Sequence, residues 1–184
     1  MPLDPIDRPA RGASAAAPVT LYTPEERLRR DRSAWTGVQG LLAPIQFLVC
    51  AVSIAFVVHA LRTGDGYRAA QLSVVLKTVI LYLIMVTGAI WEKEVFGQYL
   101  FARPFFWEDV VSFLVLALHT AYLWFARTGT LADRGLCWLA LAAYTAYVVN
   151  AVQFVLKLRA ARLQEQAART RAAPRLAPAG AAAA

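Results

Sequence analysis

Long apolar runs dominate the chain. Residues 33–61 contain no Asp, Glu, Lys or Arg, residues 69–91 contain only Lys77, and residues 110–126 and 135–156 contain none. Each run is near or above the ~18–20 residues that cross a bilayer as a helix. The pattern predicts four spanning helices, at about 36–61, 69–91, 108–126 and 135–158, with Pro44 as a kink point in the first. Thr63-Gly64-Asp65-Gly66 reads as a tight turn, Gly129 and Asp133 lie in a short link, and residues 92–107 make the longest connection. Ahead of the first run, Thr23-Pro24-Glu25-Glu26 carries the signature of a helix start, with Thr as N-cap and Glu three positions on. A short surface helix through the basic Arg27–Arg32 stretch follows, and Trp35 marks the membrane interface. Residues 1–22 read as a flexible tail and 166–184 as a disordered Ala/Pro/Arg tail, which leaves 23–165 as one domain. No apolar core precedes a cleavage site in residues 1–35, so the first span is expected to act as the targeting signal. The expected fold is all-α: a polytopic membrane protein built as a four-transmembrane-helix bundle.

Composition supports this and closes other routes. Of 184 residues, 59% are hydrophobic and 17% charged, against roughly 45–50% and 25% in ordinary globular chains. A soluble enzyme, a disulfide-stapled secreted domain and a disordered protein are excluded. Cys50 and Cys137 lie in apolar runs without metal-ligand spacing and read as small buried hydrophobes. The net charge of +7 does not point to nucleic acid, because no basic stripe alternates with exposed aromatics. It is a topology signal. Arg27, Arg29, Arg30, Arg32, Lys93, Arg103, Lys157, Arg159 and Arg162 fall on one side of an even number of spans. Arg62, Arg68, Arg127 and Arg134 fall on the other. Nine against four predicts cytoplasmic termini and a cytoplasmic 92–107 loop.

Polar residues within a span are costly and face the bundle interior. Gln39, Gln46 and Ser53 recur every seven residues; Glu108, Ser112 and His119 share a face; Asn150, Gln153 and Lys157 are three and four apart. Nearly all fall in the predicted cytoplasmic half, as do Glu92, Glu94 and Asp109. The pattern suggests a polar pocket that opens inward, capped by the aromatic-rich 92–107 loop. Plainer readings stand beside this one. Gln39, Gln46, Asn150 and Gln153 can be interhelical glue, and Lys157 is expected to snorkel to the headgroups. Glu108 and Asp109 suit a helix N-terminus, His119 can be a satisfied core histidine, and His59 is expected at the outer interface. Lys77 should snorkel or pair with a carbonyl or an acid. Trp91, Tyr99, Phe101, Phe105, Phe106 and Trp107 form an interfacial belt by default, yet their density around four carboxylates suits a large flat aromatic ligand. No phosphate loop, nucleophile elbow or metal-ligand cluster is present.

The wording of the chain around that loop is specific. Val74-Val75-Leu76-Lys77-Thr78, Met85 through Phe101, Phe105-Phe106-Trp107-Glu108-Asp109-Val110-Val111-Ser112, Leu116 through Tyr122 and Tyr147 through Phe154 together resemble the 3-vinyl bacteriochlorophyllide hydratase family of bacteriochlorophyll biosynthesis, 2-vinyl in older ring numbering. Tyr22 through Arg27 and Trp35 through Phe47 fit as well. The likeness covers about residues 22–165.

The resemblance implies a hydro-lyase that adds water across the C3 vinyl group of a chlorophyllide or bacteriochlorophyllide to give a 1-hydroxyethyl group. It implies no cofactor of the protein's own, since magnesium arrives with the substrate. It also implies a multi-pass protein of a bacterial inner membrane, cytoplasmic or intracytoplasmic. The expected partners are the tetrapyrrole and the lipid bilayer; association with neighbouring pathway enzymes is left open, as is the oligomeric state. Vinyl hydration is simplest as acid catalysis, and an apolar, like-charged setting keeps a carboxyl protonated. The residues offer Glu92 or Glu108 as acid, with Asp109 or Glu94 positioning water. Trp91, Phe105 or Trp107 would stack on the ring, and Arg103 or Lys93 would hold a propionate. His119 would ligate the substrate's magnesium or bond a carbonyl. Gln46, Asn150 and Gln153 would line the site. Two rivals remain from the residues alone: a non-catalytic tetrapyrrole carrier or assembly factor, and a structural subunit of a membrane complex.

Overall fold

A computed structural model describes residues 21–172. Within them the chain forms five helices: α1 Pro24–Arg32, α2 Ala34–Thr63, α3 Tyr67–Phe96, α4 Phe106–Thr128 and α5 Asp133–Ala172. Helices α2 to α5 are long and apolar enough to cross a membrane, and the protein is a multi-pass membrane protein. Most of each apolar stretch faces outward: Leu48, Leu72, Val86, Leu114, Trp124 and Leu156 are all exposed on the helix surfaces. Lipid is the solvent that such a surface requires.

The helix ends have local causes. Thr23 and Glu26 close the capping box on α1, through Glu26 N–H to Thr23 Oγ1 at 3.2 Å and Thr23 N–H to the Glu26 carboxylate at 2.8 Å. Ser33 Oγ then caps α2 by accepting from Trp35 N–H. Helix α2 runs unbroken through Pro44. It ends at Gly64, which with Gly66 adopts a left-handed backbone that Cβ-bearing residues resist, so the α2–α3 turn is as tight as expected.

Two boundaries differ from the sequence reading. Helix α3 continues past Trp91 to Phe96 and α4 begins at Phe106, so the connection shrinks to residues 97–105, and Glu92 and Glu94 lie on helix rather than loop. A charged run does not stop a helix, whereas a left-handed Gly97 does. Helix α5 runs on to Ala172, through the start of the segment read as a tail. The rest of that segment and residues 1–20 lie outside the described residues.

The spanning helices pair as two antiparallel hairpins, α2 with α3 and α4 with α5, with α5 also packed on α2. Their main core joins Val57, Ala60, Ala70, Val74, Leu81, Val115 and Ala140 with Tyr122 and Tyr144. Small residues here let the backbones approach closely. Cys50 and Cys137 are buried and free, as expected. A second cluster at the α1 end joins Tyr22, Val95, Phe105 and Ala161. Arg29 ties α1 to Val95 O at 2.8 Å, and Arg27 and Arg30 meet Glu165 of α5. The Arg30 guanidinium lies 4.7 Å over the Tyr22 ring. Burial pushes the Tyr22 hydroxyl above its ordinary value despite that cation.

Candidate functional site

The end of α3 and the start of α4 bring Glu92 and Asp109 together. Both are buried, and their carboxyl groups lie against each other. A hydrogen bond between them requires that at least one carry a proton, because carboxylates have no donor. Each also holds the 97–105 loop: Ala102 N–H donates to Glu92 at 3.2 Å and Phe101 N–H to Asp109 at 2.7 Å. Phe101 takes φ 59°, the left-handed region, a conformation uncommon for a large side chain. The Asp109 bond holds it there.

The other two candidate acids are engaged elsewhere. Glu108 meets the Lys157 ammonium at 2.5 Å, and Lys157 also donates to Pro104 O. Lys157 is thus paired across α4 and α5 instead of snorkelling. Glu94 is exposed and accepts from Ser33 Oγ at 2.5 Å, on a different side of α3 from Glu92. Lys93 is exposed and donates to Gly97 O, and Arg103 is exposed on the loop.

The aromatics divide into two sets. Trp91 and Phe105 are core: Phe105 is 1% exposed and packs on Tyr22, Trp91, Phe96 and Phe154, while Trp91 Nε1 donates to Thr36 Oγ1 at 2.9 Å. Their faces are already covered by protein. Trp107, by contrast, is 69% exposed. Phe106 meets its ring edge-on, and Phe101 packs on both Phe106 and Phe113, stacked on the latter at 5.4 Å. These four rings form an outward ledge, continuous with the loop that the acid pair holds. Phe113 was not among the sequence candidates. Its signal was present, since it follows Phe106 by seven residues and so shares its face of α4.

Deeper in the bundle lies a second polar group. Asn150 Nδ2 donates to Ser112 Oγ at 2.7 Å, and Ser53 bonds Tyr144 at 2.6 Å and Ser73 at 2.7 Å. Gln39 bonds Thr87 at 2.7 Å. This much is interhelical glue. Both amide atoms of Gln46, however, are buried without a partner, as are Asn150 Oδ1, Gln153 Oε1, His119 Nε2 and Lys77 Nζ. His119 Nδ1 lies 2.8 Å from Val115 O. A carbonyl only accepts, so Nδ1 carries the proton and Nε2 presents its lone pair to the core. Lys77 neither snorkels nor meets a carbonyl or an acid; it is 0% exposed, 3.8 Å over the Tyr147 ring.

The acid pair and His119 lie well apart along α4. Ten residues of α4 separate Asp109 from His119, about 15 Å of helix, farther than a chlorin's central metal lies from its peripheral carbons. His59 sits near the C-terminal end of α2, exposed, beside a shallow groove formed with Val52, Ala55 and Phe56. Among the described residues no cluster of three or more His, Cys, Asp or Glu could hold a metal ion.

A family model described as 2-vinyl bacteriochlorophyllide hydratase matches residues 22–160. The chain is 63% identical over 144 residues to the 2-vinyl bacteriochlorophyllide hydratase of Rhodobacter capsulatus, covering 78% of this chain and 84% of that protein. It is 62% identical over 157 residues to the protein of the same name from Cereibacter sphaeroides, covering 84% and 97%. No solved structure matches it.

Proposed function

The chain belongs to the 2-vinyl bacteriochlorophyllide hydratase family, and on that premise we propose that the Glu92–Asp109 pair adds water to the vinyl group of such a tetrapyrrole. One carboxyl gives its proton to the terminal vinyl carbon. The adjoining carbon becomes a cation delocalised into the macrocycle, and water attacks it. The partner carboxylate takes the proton that the water releases. One water is added, and the pair again holds one proton. General acid–base catalysis of this kind needs an acid and a base within reach of the same two carbons. Two carboxyls in mutual contact supply both.

The macrocycle would stack on the ledge of Phe101, Phe106, Phe113 and Trp107, where an aromatic face is available on the lipid side. Trp91 and Phe105 would support the loop from behind, and Glu108, Lys157 and Pro104 would fix its far end. Glu94 would take no part in the chemistry. Magnesium belongs to the substrate, and the reaction calls for no redox cofactor. In this reading the termini and the 97–105 loop face the cytoplasm of a bacterial inner membrane, so the acid pair lies near a source of water.

The observation that carries the proposal is the buried contact between Glu92 and Asp109. Membranes carrying Glu92→Gln or Asp109→Asn, incubated with a vinyl chlorophyllide, should lose about a hundredfold or more of the hydration rate, read as loss of the vinyl group with a gain of 18 mass units. Glu94→Gln should stay within a few-fold of wild type. Full turnover in both acid-pair variants would remove these residues from the chemistry. Pigment retained by the wild type with no gain of mass would make the protein a carrier.

A further inference from the structure

Glu92 and Asp109 lie against each other, but their surroundings differ in ways that decide where a proton sits. Asp109 is in the first turn of α4, where the unpaired N–H groups of the helix favour a negative charge. Glu92 is near the C-terminal end of α3, where the dipole is reversed and opposes one. Phe101 N–H donates to Asp109 at 2.7 Å, a length typical of an ionised acceptor. Ala102 N–H donates to Glu92 at 3.2 Å, at the long end for a neutral one. Glu108 adjoins Asp109 but is paired with Lys157, so it brings little net charge to tip the balance back.

The two acids also stand differently to the aromatic ledge. Phe106, Trp107 and Phe113 belong to α4, the helix of Asp109. Phe101 links ledge and acid directly, since its ring packs on Phe106 and Phe113 and its N–H holds Asp109. Glu92 comes from α3 and is held by Ala102, which is 1% exposed and lies on the buried side of the loop. A vinyl group on a macrocycle stacked at the ledge keeps its inner carbon beside the ring. Its terminal carbon projects inward, past Asp109 and toward α3.

We propose that the pair is asymmetric by construction: Glu92 is the acid that protonates the terminal vinyl carbon, and Asp109 is the base that serves the water attacking the inner carbon. This rests on the hydratase reading above and assigns the roles which that reading leaves open. The Glu92 O–H bond breaks as the new C–H bond forms, and the positive charge is left on the inner carbon. Water adds there and gives its proton to Asp109. The pair then holds its proton on the wrong partner. Contact between the carboxyls lets that proton return from Asp109 to Glu92, which restores the starting state with no other donor.

Reversal of the first step supplies the test. Where the cation forms but water is not activated, Glu92 takes a proton back from the new methyl carbon, and in deuterium oxide the vinyl pigment returns labelled. Full-length protein in membranes is incubated with a vinyl chlorophyllide in deuterium oxide, and the recovered substrate and product are analysed by mass. Asp109→Asn should lose about a hundredfold of the hydration rate, while its recovered vinyl pigment gains deuterium at the terminal carbon. Glu92→Gln should lose hydration to a similar degree and return the pigment unlabelled. Where an amide variant fails to hold pigment, read by fluorescence of the membranes, Asp109→Glu and Glu92→Asp make the same comparison, with label expected from the first alone. Label from the Glu92 variant alone reverses the roles and overturns the assignment. Label from both variants, or from neither, overturns it as well. In each of those cases a wild type that hydrates leaves the hydratase reading standing. Wild type that adds no water ends that reading and the assignment with it.

Discussion

His119 shows how a residue's geometry constrains its role. Its Nδ1 is committed to Val115 O and its Nε2 lone pair is open, so by coordination chemistry alone it is a ready axial ligand. Its position argues otherwise: with the vinyl group at Asp109, about 15 Å along α4, the substrate's magnesium falls short of the ring. His119→Ala should therefore slow hydration of magnesium-containing and metal-free chlorophyllide by the same factor. A loss confined to the magnesium pigment would put the metal on Nε2 and shift the vinyl group off the acid pair. Residue types and spacing made Glu92, Asp109 and His119 candidates, because acids and histidines near a span are rare. Which acids touch was not legible. Glu108 and Asp109 adjoin in sequence, yet one turns to Lys157 and the other to Glu92, and that choice depends on how α5 packs. Lys77 was equally ambiguous, since snorkelling and burial are told apart only by what surrounds the side chain.

At the scale of elements, the spans were legible as runs without charge, and α1 was legible from four residues, Thr23 to Glu26. The ends of α3 and α4 were not, because Glu92-Lys93-Glu94 looks like the edge of a membrane segment while the backbone stays helical as far as Gly97. The aromatic run had no period from which to separate core rings from exposed ones. Burial of Trp91 and Phe105 depends on α1, whose approach delivers Tyr22 against Phe96 and Phe105. Helix α1 has no buried residue of its own and is held by caps and arginines, so its cap should matter. Thr23→Ala removes the side-chain half of the capping box, a cost of about 1 kcal/mol. Hydrogen exchange should quicken about fivefold over residues 24–32, in line with that cost, and leave the spans unchanged. Unaltered exchange in α1 would mean that Arg29 and the Glu165 pairs hold it without the cap.

For the molecule as a whole, the excess of Lys and Arg and the even number of spans make one joint claim. If the termini face the cytoplasm, so does the 97–105 loop with the acid pair beneath it, while the α2–α3 and α4–α5 turns face out. The charge count supports this by nine to four, on short links where each residue weighs heavily. The two native cysteines are buried, so a membrane-impermeant thiol reagent should find little background. Single substitutions Gln98→Cys, Asp65→Cys and Thr130→Cys place a thiol on each connection, at positions that are all exposed. Labelling of intact, outward-facing cells or spheroplasts should reach Asp65→Cys and Thr130→Cys and spare Gln98→Cys until the membrane is opened. The reverse pattern would invert the topology and put the acid pair on the far side from the cytoplasm. Labelling of Gln98→Cys and Asp65→Cys from the same side would contradict the span count itself, because α3 alone separates them.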